Sequence, residues 1–324
     1  MQSTAAPPRS IPDVVTLLAH DRREVAARMR DLLPGPHDGV YALVAYHLGW
    51  RDERGAACEG ATGKLLRPAL LLTAARGFEP APAAVDAACA CEFLHAFSLV
   101  HDDIEDGDRE RRHRPTLWAL HGVPLAINAG DSLFALAHGT MIEAASTLPH
   151  ARIADALRIF NDACLAMIEG QHADISYEST AGVTRDDYLL MTSGKTGALI
   201  GASLALGGMF GGASDDDVEA LRQAGVDLGI AFQAVDDALA VWGDPARTGK
   251  AVGNDAARGK KSLPVVIAAE RRCALDDASV REHVQELARE HAGRALERMR
   301  ATAIGQGASS RLEAIAAYIL GREE

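Results

Sequence analysis

The segment from about Ala83 to Asp106 sets the terms for any fold this chain can adopt. Leu94, Phe97, Leu99, Val100 and Ile104 cover too much of a helical circumference for a single core-facing stripe, so this helix has to be central. Yet it ends in Leu99-Val100-His101-Asp102-Asp103-Ile104-Glu105-Asp106, four acids in five positions from Asp102 to Asp106. At about 3.6 residues per turn, Asp102 and Asp106 share a face and Asp103 stands beside them. Gathered carboxylates repel unless a cation offsets them, and hard oxygen donors on one helical face suit Mg²⁺, which shares phosphate oxygens with a substrate. The plainer alternative is a solvated acidic helix end.

A second acidic pair, Asp236-Asp237, closes the apolar run Ile230-Ala231-Phe232-Gln233-Ala234-Val235. Two such pairs, each followed by basic residues, are hard to explain as surface decoration. Arg109, Arg111, Arg112, His113 and Arg114 follow the first, and Lys250, Lys260 and Lys261 follow the second. Such alternation fits a phosphate bridging metal and guanidinium, because arginine offers planar multidentate donors. Gly63-Lys64-Leu65-Leu66-Arg67-Pro68 adds two cations three residues apart at a helix start, within reach of one anion. His95 lies about two turns before the acidic cluster, on a face that reaches the same region.

The rest of the chain reads as helix throughout, with abundant Ala, Leu and Arg and no call for a sheet. Helices are expected from about Pro12 to Leu33, Val40 to Gly49 and Pro124 to Ala145. Ser193-Gly194-Lys195-Thr196-Gly197 interrupts an apolar run, the pattern of a kinked helix presenting Lys195 and Thr196 to a cavity. It lacks the glycine spacing of a Walker loop. We expect one all-helical domain, residues 11–324, after a disordered tail at 1–10.

A net charge of -12 argues against nucleic-acid binding, so anionic substrates must be held by local cations and metal. The five cysteines show no metal-type pairing, which suits a cytoplasmic protein with reduced thiols. No transmembrane segment is expected.

Six motifs in order, Gly-Lys-x-x-Arg-Pro, His-Asp-Asp-x-x-Asp, Arg-Arg-x-x-Pro-Thr, Gly-Gln before Lys-Thr, Phe-Gln-x-x-Asp-Asp and Gly-Asp-Pro-x-x-Thr-Gly-Lys, span roughly Gly63 to Pro264. Together they resemble the trans-isoprenyl diphosphate synthases, the polyprenyl synthetase family. The resemblance implies an all-α isoprenoid synthase bundle around a deep central cavity, in a homodimer. It implies Asp102, Asp106 and Asp236 as main ligands of about three Mg²⁺ ions, supported by Asp103 and Asp237. Arg111, Lys195 and Lys250 would help hold an allylic diphosphate, and Lys260 would close over its phosphates. Lys64, Arg67, His95 and Arg112 would bind isopentenyl diphosphate, with Thr196 and Gln233 at the reaction centre.

Two departures stand out. Ala240 occupies the place of the family's usual third Asp in the second motif, and His113 a place where glycine is frequent. In this family an aromatic at the fifth residue before the first motif tends to floor the cavity. Here that residue is Phe97, followed by Ser98, roughly 7 Å down the helix from Asp102. The pattern is similar to geranylgeranyl (C20) synthases, with farnesyl (C15) as the near competitor; plain core packing of Phe97 is the third reading. A class I terpene cyclase and a catalytically silent partner subunit are the rival functions. The first leaves Lys64, Arg67 and Arg112 without purpose, and only Ala240 supports the second.

Overall fold

The computed structural model describes residues 14–35, 38–58, 63, 65–79, 82–243 and 259–321. They form helices α1 (Val14–Leu32), α2 (Gly39–His47), α3 (Leu66–Arg76), α4 (Ala84–Glu105), α5 (Leu117–His121), α6 (Val123–Ala145), α7 (His150–Glu178), α8 (Arg185–Thr192), α9 (Ala198–Phe210), α10 (Asp215–Trp242), α11 (Leu263–Arg271), α12 (Ala278–Arg300) and α13 (Gln306–Leu320). The expected tail at 1–10 and the residues just before α1 lie outside the described residues.

Helix α4 is buried on nearly all sides from Ala87 to Phe97, as its sequence requires, and packs against α1, α3, α6 and α9. Helix α9 is also buried along its length and carries four glycines or serines among its twelve residues from Leu199 to Phe210. Small residues let it approach α10 closely. A Cβ on Gly225 of α10 would come within 2.5 Å of the Gly201 Cα, so the two backbones touch there. By length and composition alone the run Arg185–Phe210 is apolar enough to cross a membrane, but two-thirds of its most apolar window is buried in the core. Its apolarity is accounted for by that burial.

The polar interruption at Ser193–Gly197 is a turn of π-helix between α8 and α9. Its wider ring is accommodated by Gly170 of α7, where a Cβ would lie 2.2 Å from the Lys195 nitrogen. Among the described residues three helix starts are capped by side chains: Thr184 and Asp187 form a capping box on α8, Ser214 accepts the Asp217 N–H on α10, and Asp277 accepts the Ser279 N–H on α12. Far from the acidic motifs, buried Asp21 of α1 accepts Arg76 of α3 at 2.6 Å and also Arg311 of α13, joining three helices.

One small sheet departs from the all-helical expectation. β1 (Glu110–Arg111) pairs antiparallel with β2 (Arg114–Pro115), leaving Arg112 and His113 as the two turn residues, with φ 53° and 61°. Two-residue hairpin turns with both central φ positive match the twist of the strands and favour glycine. That accounts for the oddity of His113: it occupies a left-handed position.

Candidate active site

The C-terminal end of α4 presents its acids to different neighbours. Asp103 is buried, and Arg111 Nε of the hairpin donates to its Oδ1 at 2.6 Å. Burial pushes this carboxyl up to about 6 against the pull of Arg111. The pair ties the hairpin to α4. Asp102 is partly accessible and makes no hydrogen bond among the described residues; burial and the charge of Asp106 raise its pKa, opposed by Lys195, Arg111 and Lys260. Asp106 accepts Lys260 Nζ at 3.0 Å.

The π-turn links this cluster to the second one. Lys195 Nζ donates to Asp174 Oδ2 of α7 at 2.6 Å, and Lys260 lies 3.9 Å from the same oxygen. The next residue, Thr196, donates its hydroxyl to Gln233 Oε1 at 2.9 Å, and Gln233 Nε2 donates to Asp237 Oδ1 at 2.8 Å. Asp237 Oδ2 accepts both the Tyr188 hydroxyl and the Leu263 N–H, each at 2.8 Å. Both oxygens of this buried carboxylate are thereby engaged, and burial pushes it up to about 6. Asp237 is a hub joining α8, the π-turn, α10 and α11. Its neighbour Asp236 is partly accessible.

Of the five carboxylates expected at metal, Asp102, Asp106 and Asp236 are therefore the partly accessible ones, Asp106 being bonded to Lys260. Asp103 and Asp237 are committed to protein partners. Among the described residues no group of three or more His, Cys, Asp or Glu side chains stands ready to hold an ion alone. An all-oxygen donor set on two helix ends, completed by substrate phosphate and water, is the chemistry Mg²⁺ prefers, so the residues fit it. Lys195 and Lys260 offset part of the carboxylate charge.

A cluster of basic side chains lies beside this. Gly63 is pressed against Arg112, whose Nη2 would be 2.4 Å from a Cβ there. Gly63 and the hairpin tip are thus in contact. Arg67 has a buried Nε without a partner, and burial lowers its pKa while Glu92 of α4 opposes that. His95 is held well below its usual range by burial and by Arg67 and Arg112. His47, at the end of α2, is pushed down to about 3 by burial and by Arg111 and Arg112. Lys64 and Lys250, named from sequence, lie outside the described residues.

Phe97 is 9% exposed and sits edge-on to His101 and to Phe134 of α6, at 4.8 and 5.1 Å between ring centres. The stack continues through His138 to Phe160 of α7. Ser98 Oγ donates to the His95 carbonyl. A groove of about 740 Å³, lined by Arg28, Tyr41, Asp86 and Glu143 among others, contains none of these site residues.

Four residues of the site escaped the sequence reading as contributors: Asp174, Tyr188, Glu92 and His47. Asp174 carried a signal, standing one helical turn after Gln171, and Glu92 stands one turn before His95. Tyr188 and His47 carried none, because their neighbours are distant in sequence.

The sequence model of the polyprenyl synthetase family matches residues 55–299. The chain belongs to the polyprenyl synthetase family. It is 44% identical to the (2E,6E)-farnesyl diphosphate synthase of Mycobacterium tuberculosis over 250 residues, covering 76% of this chain and 68% of that one. With the geranylgeranyl diphosphate synthase of the same organism it shares 40% identity over 258 residues, 79% of this chain and 73% of that one. The polyprenyl synthetase structure from Streptomyces coelicolor A3(2) superposes with a TM-score of 0.86 at 35% identity, covering 95% of this chain and 99% of that one. This family member has the all-α isoprenoid synthase fold and is a trans-prenyltransferase of short-chain prenyl diphosphates.

Proposed function

We propose that the enzyme condenses isopentenyl diphosphate with allylic diphosphates as far as geranylgeranyl diphosphate (C20), with Mg²⁺ held by Asp102, Asp106 and Asp236. The observation that supports this reading is the π-turn: Lys195 bonds to Asp174 and its charge acts on Asp102 of the first acidic cluster, while adjacent Thr196 bonds to Gln233, which holds Asp237 of the second. The basic pocket of Arg67, His95 and Arg112 is a separate place for a second diphosphate, with Lys64 assigned to it and Lys250 to the allylic side from sequence. A terpene cyclase, which ionises one diphosphate, has no use for it.

In this mechanism Lys195, Lys260 and Arg111 stabilise negative charge developing on the departing allylic diphosphate, which favours ionisation of the C–O bond. Bound Mg²⁺ would supply further stabilisation of the same charge. Arg67 and Arg112 orient isopentenyl diphosphate so that its double bond attacks the allylic carbocation. Gln233 and Thr196, bonded to each other, line the reaction centre, and the surrounding apolar helices exclude water that would quench the cation. Loss of a proton to the released diphosphate completes a product longer by one five-carbon unit.

Phe97 supports C20 as the stopping point, its ring braced by Phe134; C15 is the alternative, given the farnesyl synthase relative. A homodimer is supported by apolar side chains exposed on α6 and α7, including Val123, Leu125, Ile127, Leu165 and Ile168. Cytoplasmic placement is supported by the five unpaired cysteines.

The test is incubation with labelled isopentenyl diphosphate, Mg²⁺ and each of the C5, C10 and C15 partners, then sizing of the dephosphorylated products. C20 from all three is expected. No elongation of any partner would favour a silent subunit, and a cyclic hydrocarbon made without isopentenyl diphosphate would favour a cyclase. Phe97→Ala should carry products beyond C20; an unchanged distribution would leave Phe97 as core packing.

A further inference from the structure

The basic pocket holds an acid with no assigned role. Glu92 is 8% exposed, and its Oε2 is buried without a hydrogen-bond partner. Arg67 Nε, across from it on α3, is orphaned in the same way. Two opposite charges thus stand near each other without touching, in a place where an unmade buried hydrogen bond is costly. Glu92 is also the acid whose field acts on both guanidinium groups of the pocket, Arg67 and Arg112. A diphosphate entering between these arginines brings its own negative charge against that carboxylate.

We infer that Glu92 is a positioning residue of the isopentenyl diphosphate pocket: its charge answers Arg67 and Arg112 while the pocket is empty, and it takes up one proton when a diphosphate docks. The inference rests on the pocket assignment made above. The step moves a proton from solvent to the Glu92 carboxylate and breaks no bond in the substrate.

The surrounding groups make Glu92 the one that titrates here. Burial pushes its carboxyl up to about 7, opposed by Arg67 and Arg112. On α4 itself, Cys91 is pushed up to about 12 by burial and His95 is held well below its ordinary range. On α2, His47 is pushed down to about 3. From α9 comes the Ser203 hydroxyl, which donates to the Leu199 carbonyl and opposes the rise of Cys91, and from α10 the charge of Asp236 acts on Arg67. On the hairpin, Arg111 is paired with Asp103, whose carboxyl is pushed up to about 6 and also acts on Arg112. Between pH 6 and 8 the histidines stay neutral, the thiol stays protonated, and Asp103 completes its ionisation at the lower edge.

Obligatory protonation of a group with pKa about 7 weakens binding about tenfold from pH 6 to pH 8. The experiment measures KM for isopentenyl diphosphate at pH 6, 7 and 8 in wild type, Glu92→Gln and Glu92→Asp. Isothermal calorimetry of isopentenyl diphosphate binding at pH 7.5, in two buffers of different ionisation heat, counts protons directly. The wild type should show the tenfold rise in KM and an uptake absent from Glu92→Gln, while KM for the allylic partner follows the same pH course in both. Glu92→Asp should keep the uptake. Equal pH slopes and equal proton counts in wild type and Glu92→Gln would overturn the inference. If Glu92→Gln does not fold, proton uptake by the wild type that matches the titration of free ligand alone overturns it equally. Product formation by all three proteins tests the reaction separately, and calorimetry needs no turnover, so each idea can fail without the other. Absence of any isopentenyl diphosphate binding defeats the inference outright.

Discussion

Replacing Tyr188 by Phe removes one hydroxyl and leaves the ring in place. That hydroxyl donates to Asp237 Oδ2 at 2.8 Å inside the protein, where no bulk water replaces it. A hydrogen bond to a charged group contributes about 1.5–3 kcal/mol. Because the Leu263 N–H still donates to Oδ2 and Gln233 still donates to Oδ1, the expected loss is about 2 kcal/mol at pH 8. The carboxyl is pushed up to about 6 in the fold, so between its unfolded pKa near 3.9 and that value the folded state binds a proton the unfolded state does not. Its burial cost therefore grows as pH rises through that window and is complete above it. Tyr188 stabilises the charged form, so Tyr188→Phe should cost more at pH 8 than at pH 5. Urea unfolding followed by circular dichroism in EDTA, at both pH values, measures this. A double-mutant cycle with Asp237→Asn should show a coupling of about 1–2 kcal/mol. Equal destabilisation at the two pH values, or strict additivity in the cycle, would refute the description of Asp237 as a charged hub.

His47 is neutral in the fold down to about pH 3, whereas the unfolded chain protonates it near 6.5, so its contribution is lost as pH falls below 6.5. By pH 5 this amounts to about 2 kcal/mol at most, and His47→Gln should lose less stability between pH 7 and 5 than wild type does in urea titrations. Asp21→Asn should destabilise by about 2 kcal/mol, less than the ~3–5 of a fully buried pair, because Arg76 and Arg311 are 38% and 22% exposed; a thermal midpoint equal to wild type would contradict the three-helix junction. His113→Gly should raise stability by about 0.5 kcal/mol, the relief of a left-handed turn position less the entropy of a freer unfolded chain; a lower urea midpoint would count against it.

The helical reading survived because it rested on periodicity, which is local. The α4 and α6 bounds came within one residue of expectation at each end, 84–105 against 83–106 and 123–145 against 124–145. The hairpin at Glu110–Pro115 was missed because four basic residues and a proline carry no alternating pattern. The π-turn was legible as an interruption but not as a geometry. The room it needs comes from Gly170, over twenty positions earlier, whose lack of a side chain lets the Lys195 backbone approach.

Sequence alone singled out the acids and bases proposed to carry the chemistry, because motif order and charge alternation are properties of the chain itself. Tertiary structure alone decided how equal-looking acids divide their work. Asp102 and Asp103 are adjacent and chemically identical, yet one is accessible and the other is buried against Arg111. Asp236 and Asp237 differ in the same way, since about 100° of helical rotation turns one toward the site and the other into the network of Tyr188, Gln233 and Leu263. That rotation is written in the spacing, but the partners that give each face its meaning come from elsewhere in the chain.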